Sequence, residues 1–316
     1  MLAQSHPPAL SVSEDQLKTL QPSSRLIGSI KRCANEFIVD ETLGFEPAGE
    51  GEHIYLRIEK QGANTGWVAY QLAQFLDLGD VDVSYAGRKD RHALTRQWFS
   101  CYLPVQREID WNEFKAEGVT IKSVTRHRSK LRRGQLQDNA FQIVVHHRAL
   151  NPSEHTELIH RLATMKTSGF PNYFGTQRFG RDGQNVIVAD KLLRLKEKVR
   201  GNRGLYISAA RSWLFNVYLS SQIEEGADLA GQTGPLIGKS RDPQAGEEQL
   251  GEVEQAWVAG LRRLGSKVGS RDLLVYPAEF EWEMASESIT LKFKLGPGGY
   301  ATSLLRELFT IEDASL

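Results

Sequence analysis

His53-Ile-Tyr-Leu-Arg-Ile58 and Asn64-Thr-Gly-Trp-Val-Ala-Tyr-Gln-Leu-Ala-Gln-Phe-Leu76 lie almost end to end, and the change of period between them decides the fold class. In the first stretch Ile54, Leu56 and Ile58 alternate with Tyr55 and Arg57, the two-residue period of a strand. In the second, Val68, Leu72, Phe75 and Leu76 recur at nearly helical spacing, and Asn64 or Thr65 can cap the start. Working outward, strands are predicted through Phe37, Ile38 and Val39 and around 81–85, 97–103, 119–126 and 140–147, with a helix near 153–165. Strands and helices alternate irregularly, without the βαβ order of a doubly wound sheet, so an α+β sheet domain is expected.

Beyond residue 166 the pattern changes. Residues 184–199, 206–225 and 247–265 read as helices, and strand signals are sparse up to Arg271. Alternation returns over 271–294, notably in Phe280-Glu-Trp-Glu-Met284, before a short helix near 302–309. A helical block between two strand-rich blocks is what an inserted domain looks like. The expected organisation is a sheet domain of 1–165 and 273–316 interrupted by a helical insert of 166–272. Residues 1–25, with Pro7, Pro8 and Pro22, read as a loosely held lead-in.

Composition narrows the class without naming a partner. The chain has 316 residues, enough for one large domain or two ordinary ones, and its 40% hydrophobic and 25% charged residues fit a soluble globular protein. Lys+Arg and Asp+Glu both number 39, so an anionic ligand would require cations gathered locally. Cys33 and Cys101 are too few for a disulfide framework and form no Cys-x-x-Cys pair, which points to reduced thiols and the cytoplasm. Neither a signal peptide nor a membrane span of roughly 20 apolar residues is visible.

Several common catalytic devices are missing: the phosphate-binding P-loop, Gly-x-Gly-x-x-Gly after a strand, His-Glu-x-x-His and Gly-x-Ser-x-Gly. In Gly296-Pro-Gly-Gly299 the proline removes an N–H that a phosphate cradle would use, so a turn is the better reading. His127, His146 and His147 lack zinc-ligand spacing. Neither a metal nor a nucleotide cofactor is expected.

Three local signals carry chemistry. Lys122, Arg126, Arg128, Lys130, Arg132 and Arg133 run together without an acid. On an extended strand Arg126, Arg128, Lys130 and Arg132 would share a face, and such a stripe suits either a nucleic-acid backbone or a solvated edge strand. A second run, Lys191 to Arg203, holds one acid, Glu197, and reads equally as an exposed helix face. In Ala86-Gly-Arg-Lys-Asp-Arg91, Asp90 sits among cations that favour its ionised form, as a nucleophile or base requires; an ordinary charged surface turn looks the same. Pro171-Asn-Tyr-Phe-Gly-Thr-Gln-Arg-Phe-Gly180 is either a stacking surface for unpaired bases or a hinge with packed aromatics.

Taken together, these segments resemble the TruD family of tRNA pseudouridine synthases over nearly the whole chain. The resemblance rests on Lys31-Arg-x4-Phe37-x-Val39-x-Glu41, Gly49 to Arg57, Asn64-Thr65, Ala86-Gly-Arg-Lys-Asp90 with Gln97, Asn139-Ala-Phe141, Pro171 to Gly180, Ser208 to Asn216, and Gly299-Tyr300 to Leu308. It implies a pseudouridine-synthase mixed or antiparallel sheet domain with an inserted, mainly helical TRUD domain. It also implies isomerisation of uridine to pseudouridine in tRNA, at position 13 of the D-arm region, without a cofactor.

Carried over position by position, Asp90 is the nucleophile. Lys31, Lys89, Asn139 and Phe141 support it. Phe37, Asn139 and Tyr300 contact the target base or brace the aspartate. Arg126, Arg128, Lys130, Arg132 and Arg178 are expected along the RNA backbone, and Thr95 and Gln97 are expected to brace the turn. Tyr300 stands where phenylalanine is expected, and the insert is shorter than in familiar members. The competing readings are a non-catalytic tRNA-binding or RNA-chaperone protein on the same scaffold, or a synthase with another RNA target.

Overall fold

The structure, a computed structural model, describes residues 13–22, 26–104 and 107–315. Within the expected lead-in, residues 1–12 and 23–25 lie outside the described residues. The part between them is anchored, contrary to expectation. Leu17 is buried, the Lys18 N–H donates to Ser220 Oγ at 2.9 Å, and the Leu20 N–H donates to Glu307 Oε2 at 3.0 Å.

In chain order, the first elements are β1 (Ile27–Ile30), β2 (Phe37–Thr42), β3 (His53–Lys60), α1 (Thr65–Leu76), β4 (Val83–Tyr85), β5 (Leu94–Tyr102), β6 (Val119–His127), β7 (Asp138–His146) and α2 (Pro152–Ser168). A mainly helical stretch follows: β8 (Phe170–Pro171), α3 (Gln184–Leu193), α4 (Arg203–Glu224), β9 (Thr233–Leu236), α5 (Glu252–Arg263), β10 (Gly269–Asp272) and β11 (Leu274–Val275). The chain closes with β12 (Ala278–Met284), β13 (Ser288–Leu295), α6 (Ala301–Arg306) and β14 (Thr310–Asp313). Two compact units result. One holds the described residues of 24–167, 276–301 and 308–316; the other holds those of 168–275, 302–307 and 1–23.

The first unit is organised by a ten-stranded mixed sheet in the order β12-β13-β7-β2-β5-β3-β6, with β4 on β5 and β1 pairing β7 and β14. The β2–β5 and β1–β14 pairs are parallel and the others antiparallel. Side chains alternate along a strand and register partners share a face. The register therefore fixes which residues meet. Glu41 pairs with Asn139, Val39 with both Phe141 and Thr95, Lys60 with Thr95, and Phe293 with Phe141.

The helix predicted over 64–76 forms and covers part of that face. Val68, Leu72, Ala73 and Leu76 pack on Ile54, Leu56, Ile58, Phe99 and Cys101. Each large apolar side chain buried this way contributes about 1.5–3 kcal/mol. Leu72→Ala would cost roughly 2–5 kcal/mol. The opposite face of β3 is covered too, which is why Tyr55 is buried despite its alternating position. It packs with Leu43, Ala86 and Leu131, and its hydroxyl donates to Ser129 O at 3.1 Å.

In the second unit α3 packs against α4 and α5. Gly260 permits the α3–α5 approach, since a Cβ there would lie 2.6 Å from Leu193 O. The buried Trp257 donates its indole N–H to Asp190 Oδ1 at 2.8 Å. The β9–β10 ribbon was not anticipated, because Gly234 and Pro235 disguise β9. α3 stops at Leu193 rather than 199, and Lys196 beyond it adopts a φ of 59° that no helix continues. Among the described residues, no helix is long and apolar enough to cross a membrane.

Candidate active site

Asp90 lies on the connection from β4 to β5, at the edge of the face that carries Glu41, Thr95, Gln97 and Asn139. Its carboxylate is pinned on two sides. Lys31 Nζ donates to Oδ2 at 2.6 Å, and the His92 N–H donates to Oδ1 at 3.0 Å. Burial opposes ionisation, but the Lys31 bond and charge, with the His92 N–H, outweigh it and hold the Asp90 carboxyl below its ordinary value. Its side chain keeps 16% exposure, so the anion is held in place and still reachable.

Lys31 follows β1 with a φ of 58°, an uncommon conformation for a residue with a side chain. Such a conformation costs on the order of 1–3 kcal/mol and persists where surrounding contacts enforce it. Here the second contact is Asp313, which accepts from Lys31 Nζ at 2.7 Å and is itself held by Ser315. Asp313 reaches the site because β14 pairs in parallel with β1, placing it opposite Ile30. Burial works against a charged Lys31, but its bonds to Asp313 and Asp90 prevail and raise its pKa. The ammonium also lies 5.0 Å over the Phe37 ring.

The loop backbone is braced from beneath. Lys60, fully buried, donates from Nζ to Asp90 O at 2.8 Å and to Ala63 O at 2.9 Å. Burial, offset in part by Asp90 and reinforced by Lys89, pushes its pKa down to about 8. Gln97 Nε2 donates to Gly87 O at 3.0 Å, while Thr65 Oγ1 donates to Gln97 Oε1 at 2.8 Å and accepts from the Lys89 N–H at 3.0 Å. The Lys89 side chain turns inward to an ion pair with Glu41, which is fully buried and also accepts the Trp98 N–H at 3.0 Å. Lys89 is thus spent on the scaffold.

Asn139 and Phe141 take adjacent positions on the same face of β7. The Asn139 Oδ1 is buried and makes no hydrogen bond. Phe141 stacks on Phe293 with centroids 5.2 Å apart and meets Phe37 edge-on at 6.5 Å. Tyr300 is half-buried just before α6. Among the described residues there is no cluster of three or more His, Cys, Asp or Glu side chains arranged to hold a metal ion.

The expected basic stripe does not form. β6 ends at His127, and buried Leu131, whose N–H donates to Ser100 Oγ at 3.0 Å, pulls the chain off an extended path. Arg126 donates to the Gly51 and Leu103 carbonyls, Arg128 pairs with Glu50, and Lys130 reaches Val81 O; Arg132 stays exposed.

In the other unit, the aromatic side chains of the 171–180 segment are packed inward. Tyr173, Phe174 and Phe179 are buried, Phe174 lies edge-on to Phe215, and Asn216 brackets the Phe174 backbone through bonds of 2.9 Å at its N–H and its carbonyl. Arg178 lies over Phe174 and donates to Ser208 Oγ at 3.4 Å.

Comparison with known proteins decides the family. The family model for tRNA pseudouridine synthase D (TruD) matches residues 19–200. The tRNA pseudouridine synthase D of Cellvibrio japonicus (strain Ueda107) is 42% identical over 301 residues, covering 89% of each chain. The chain belongs to the TruD family. A second TruD relative, the tRNA pseudouridine synthase D of Aeromonas salmonicida (strain A449), is 38% identical over 340 residues, covering 95% of this chain and 96% of its own. A crystal structure of a TruD-type protein from Methanosarcina mazei shares the fold, with a TM-score of 0.67 over 93% of this chain and 96% of that one at 19% identity.

Against the TruD motifs, Lys31, Phe37 and Asp90 are brought together, and Lys89 is anchored just behind them. Asp313, Lys60 and Glu41 carry weight that the sequence reading did not assign. Two of them left a signal. Glu41 follows Phe37 and Val39, and Lys60 follows Leu56 and Ile58, each a charge at a core-facing parity. Asp313 left none.

Proposed function

We propose that the chain isomerises uridine to pseudouridine in tRNA with Asp90 as the nucleophile, at position 13 of the D-arm region. The observation that carries this is the ionised, partly exposed Asp90 held by Lys31 and the His92 N–H in a chain of the TruD family. The reaction breaks the N1–C1′ bond, turns the uracil, joins C5 to C1′ and releases the C5 proton. The base must leave its stack to be reached. Whether the carboxylate attacks C1′ or C6 or assists removal of the 2′ proton, it must be ionised, and Lys31 keeps it so.

The remaining roles follow from chemistry. Asn139 Oδ1, buried and without a partner, is an acceptor suited to the uracil N3–H. Phe37 is 5% exposed with Lys31 over its face, so it backs Lys31, and the base stacks on Tyr300 instead. Phe141 stiffens the wall behind Asn139. Residues 166–272 serve as the inserted TRUD domain, with Arg178 contributing to the RNA grip. No cofactor enters, and the free thiols of Cys33 and Cys101 suit a cytoplasmic enzyme.

Carbodiimide mapping of RNA from cells lacking this protein tests the assignment. Loss of one tRNA pseudouridine at position 13 is expected; an unchanged tRNA pattern would refute it.

A further inference from the structure

Beside the catalytic turn, and separate from it, lies a cavity of about 510 Å³ lined by Gly66 and Tyr70 of α1, Tyr85 of β4, and Lys130, Arg132 and Arg133. This volume is within the range of small-ligand sites. Its lining brings together two tyrosines and three basic side chains. Tyr70 is 49% exposed, and Trp67, one turn earlier on the same helix, is 40% exposed. Lys130 is drawn to Val81 O. Among the described residues, neither Arg132 nor Arg133 has a carboxylate within ion-pair distance, whereas Arg128 is paired with Glu50.

We propose that this cavity is a second RNA subsite, taking an unpaired nucleotide of the tRNA with its base against Tyr70 and its phosphate at Arg132 and Arg133. Unpaired bases are recognised by stacking on aromatic rings, and guanidinium groups suit phosphates. The subsite is wired to the reaction centre. The Gly134 N–H donates to Ala86 O at 2.8 Å, and Ser84 Oγ donates to Leu131 O at 2.8 Å, tying the basic turn to the strand that leads into Asp90. On the α1 side, Thr65, next to Gly66, holds the Lys89 N–H. A nucleotide seated here would fix the register of the RNA against Asp90.

The inference rests on tRNA being the substrate, and its test separates the two. Titration of tRNA against the full chain would compare wild type with Gly66→Phe, Tyr70→Ala and the Arg132→Gln/Arg133→Gln pair. Gly66 lines the cavity and a Cβ there meets nothing within 4 Å, so its backbone has room to carry a side chain. Tyr70→Ala and Gly66→Phe should each weaken Kd about tenfold. The double arginine variant should flatten the slope of log Kd against log salt by about 1.4. Kd values and slopes equal to wild type, in proteins of unchanged Tm, would overturn the subsite while an active wild type kept the synthase reading intact. Cavity-dependent tRNA binding with no pseudouridine formed by wild type would uphold the subsite and refute the synthase reading instead.

Discussion

Replacing Lys31 by Met should convert the nucleophile into a protonated acid near neutral pH. Asp90 and Asp313 each lie within 2.7 Å of the one ammonium, so their oxygens are no further apart than twice that distance. Two carboxylates about 5 Å apart repel by roughly 3 kcal/mol at an effective dielectric of 20. That repulsion, about 2 pKa units, is offset by the ammonium in wild type and is left standing once its attraction is lost. Burial, already opposing ionisation of Asp90, is then countered by the His92 N–H without the help of Lys31. The acid limb of single-turnover pseudouridine formation, read as release of the C5 proton from tritiated tRNA between about pH 5 and 9, should move up by roughly 2–4 units. The rate at pH 6 should fall, by up to about sixtyfold at the top of that range, and recover toward pH 9. Since Asp90 and Asp313 keep 16% and 22% exposure, the stability loss should be about 1–3 kcal/mol, below that of a fully buried pair. A Lys31→Met enzyme whose acid limb coincides with wild type would refute the claim that Lys31 sets the charge of Asp90.

Three further outcomes follow from the same contacts. Asn139→Ala should leave Tm unchanged or slightly raised, because the lost oxygen is buried without a partner, yet reduce kcat/KM at least about tenfold; a large drop in Tm would contradict this. Lys60 has a folded pKa pushed down to about 8 from 10.5, so the native state binds fewer protons than the unfolded chain between those values. Wild type should therefore gain up to about 3 kcal/mol over Lys60→Met as pH rises through that window, measured by urea unfolding. Glu41→Gln leaves Lys89 buried without its counterion and should cost about 2–4 kcal/mol in the same assay, with much of it regained in the Glu41→Gln/Lys89→Met double variant.

The sheet was legible where alternation was clean. Ile54, Leu56 and Ile58 announced β3, and the spacing of Val68, Leu72 and Leu76 announced α1. β9 was hidden because Gly234 and Pro235 carry turn chemistry into a short ribbon whose edges tolerate proline. The basic run misled because regular spacing alone does not keep a chain extended, and burial of Leu131 bends it. At the site, Asp90 and Lys31 were readable as motif residues and the bracing by Gln97 was foreseen. Asp313 was not, since its place depends on a parallel pairing between strands at opposite ends of the chain. The aromatics at 173–179 looked available to bases, but their burial is a tertiary fact that composition does not reveal.

The central claim is most directly tested by Asp90→Asn in a single-turnover reaction with tRNA, alongside measurement of its Kd. The side chain keeps its shape and loses its charge. No detectable pseudouridine is expected, while tRNA affinity stays within a few-fold of wild type. Pseudouridine formed at the wild-type rate would contradict it.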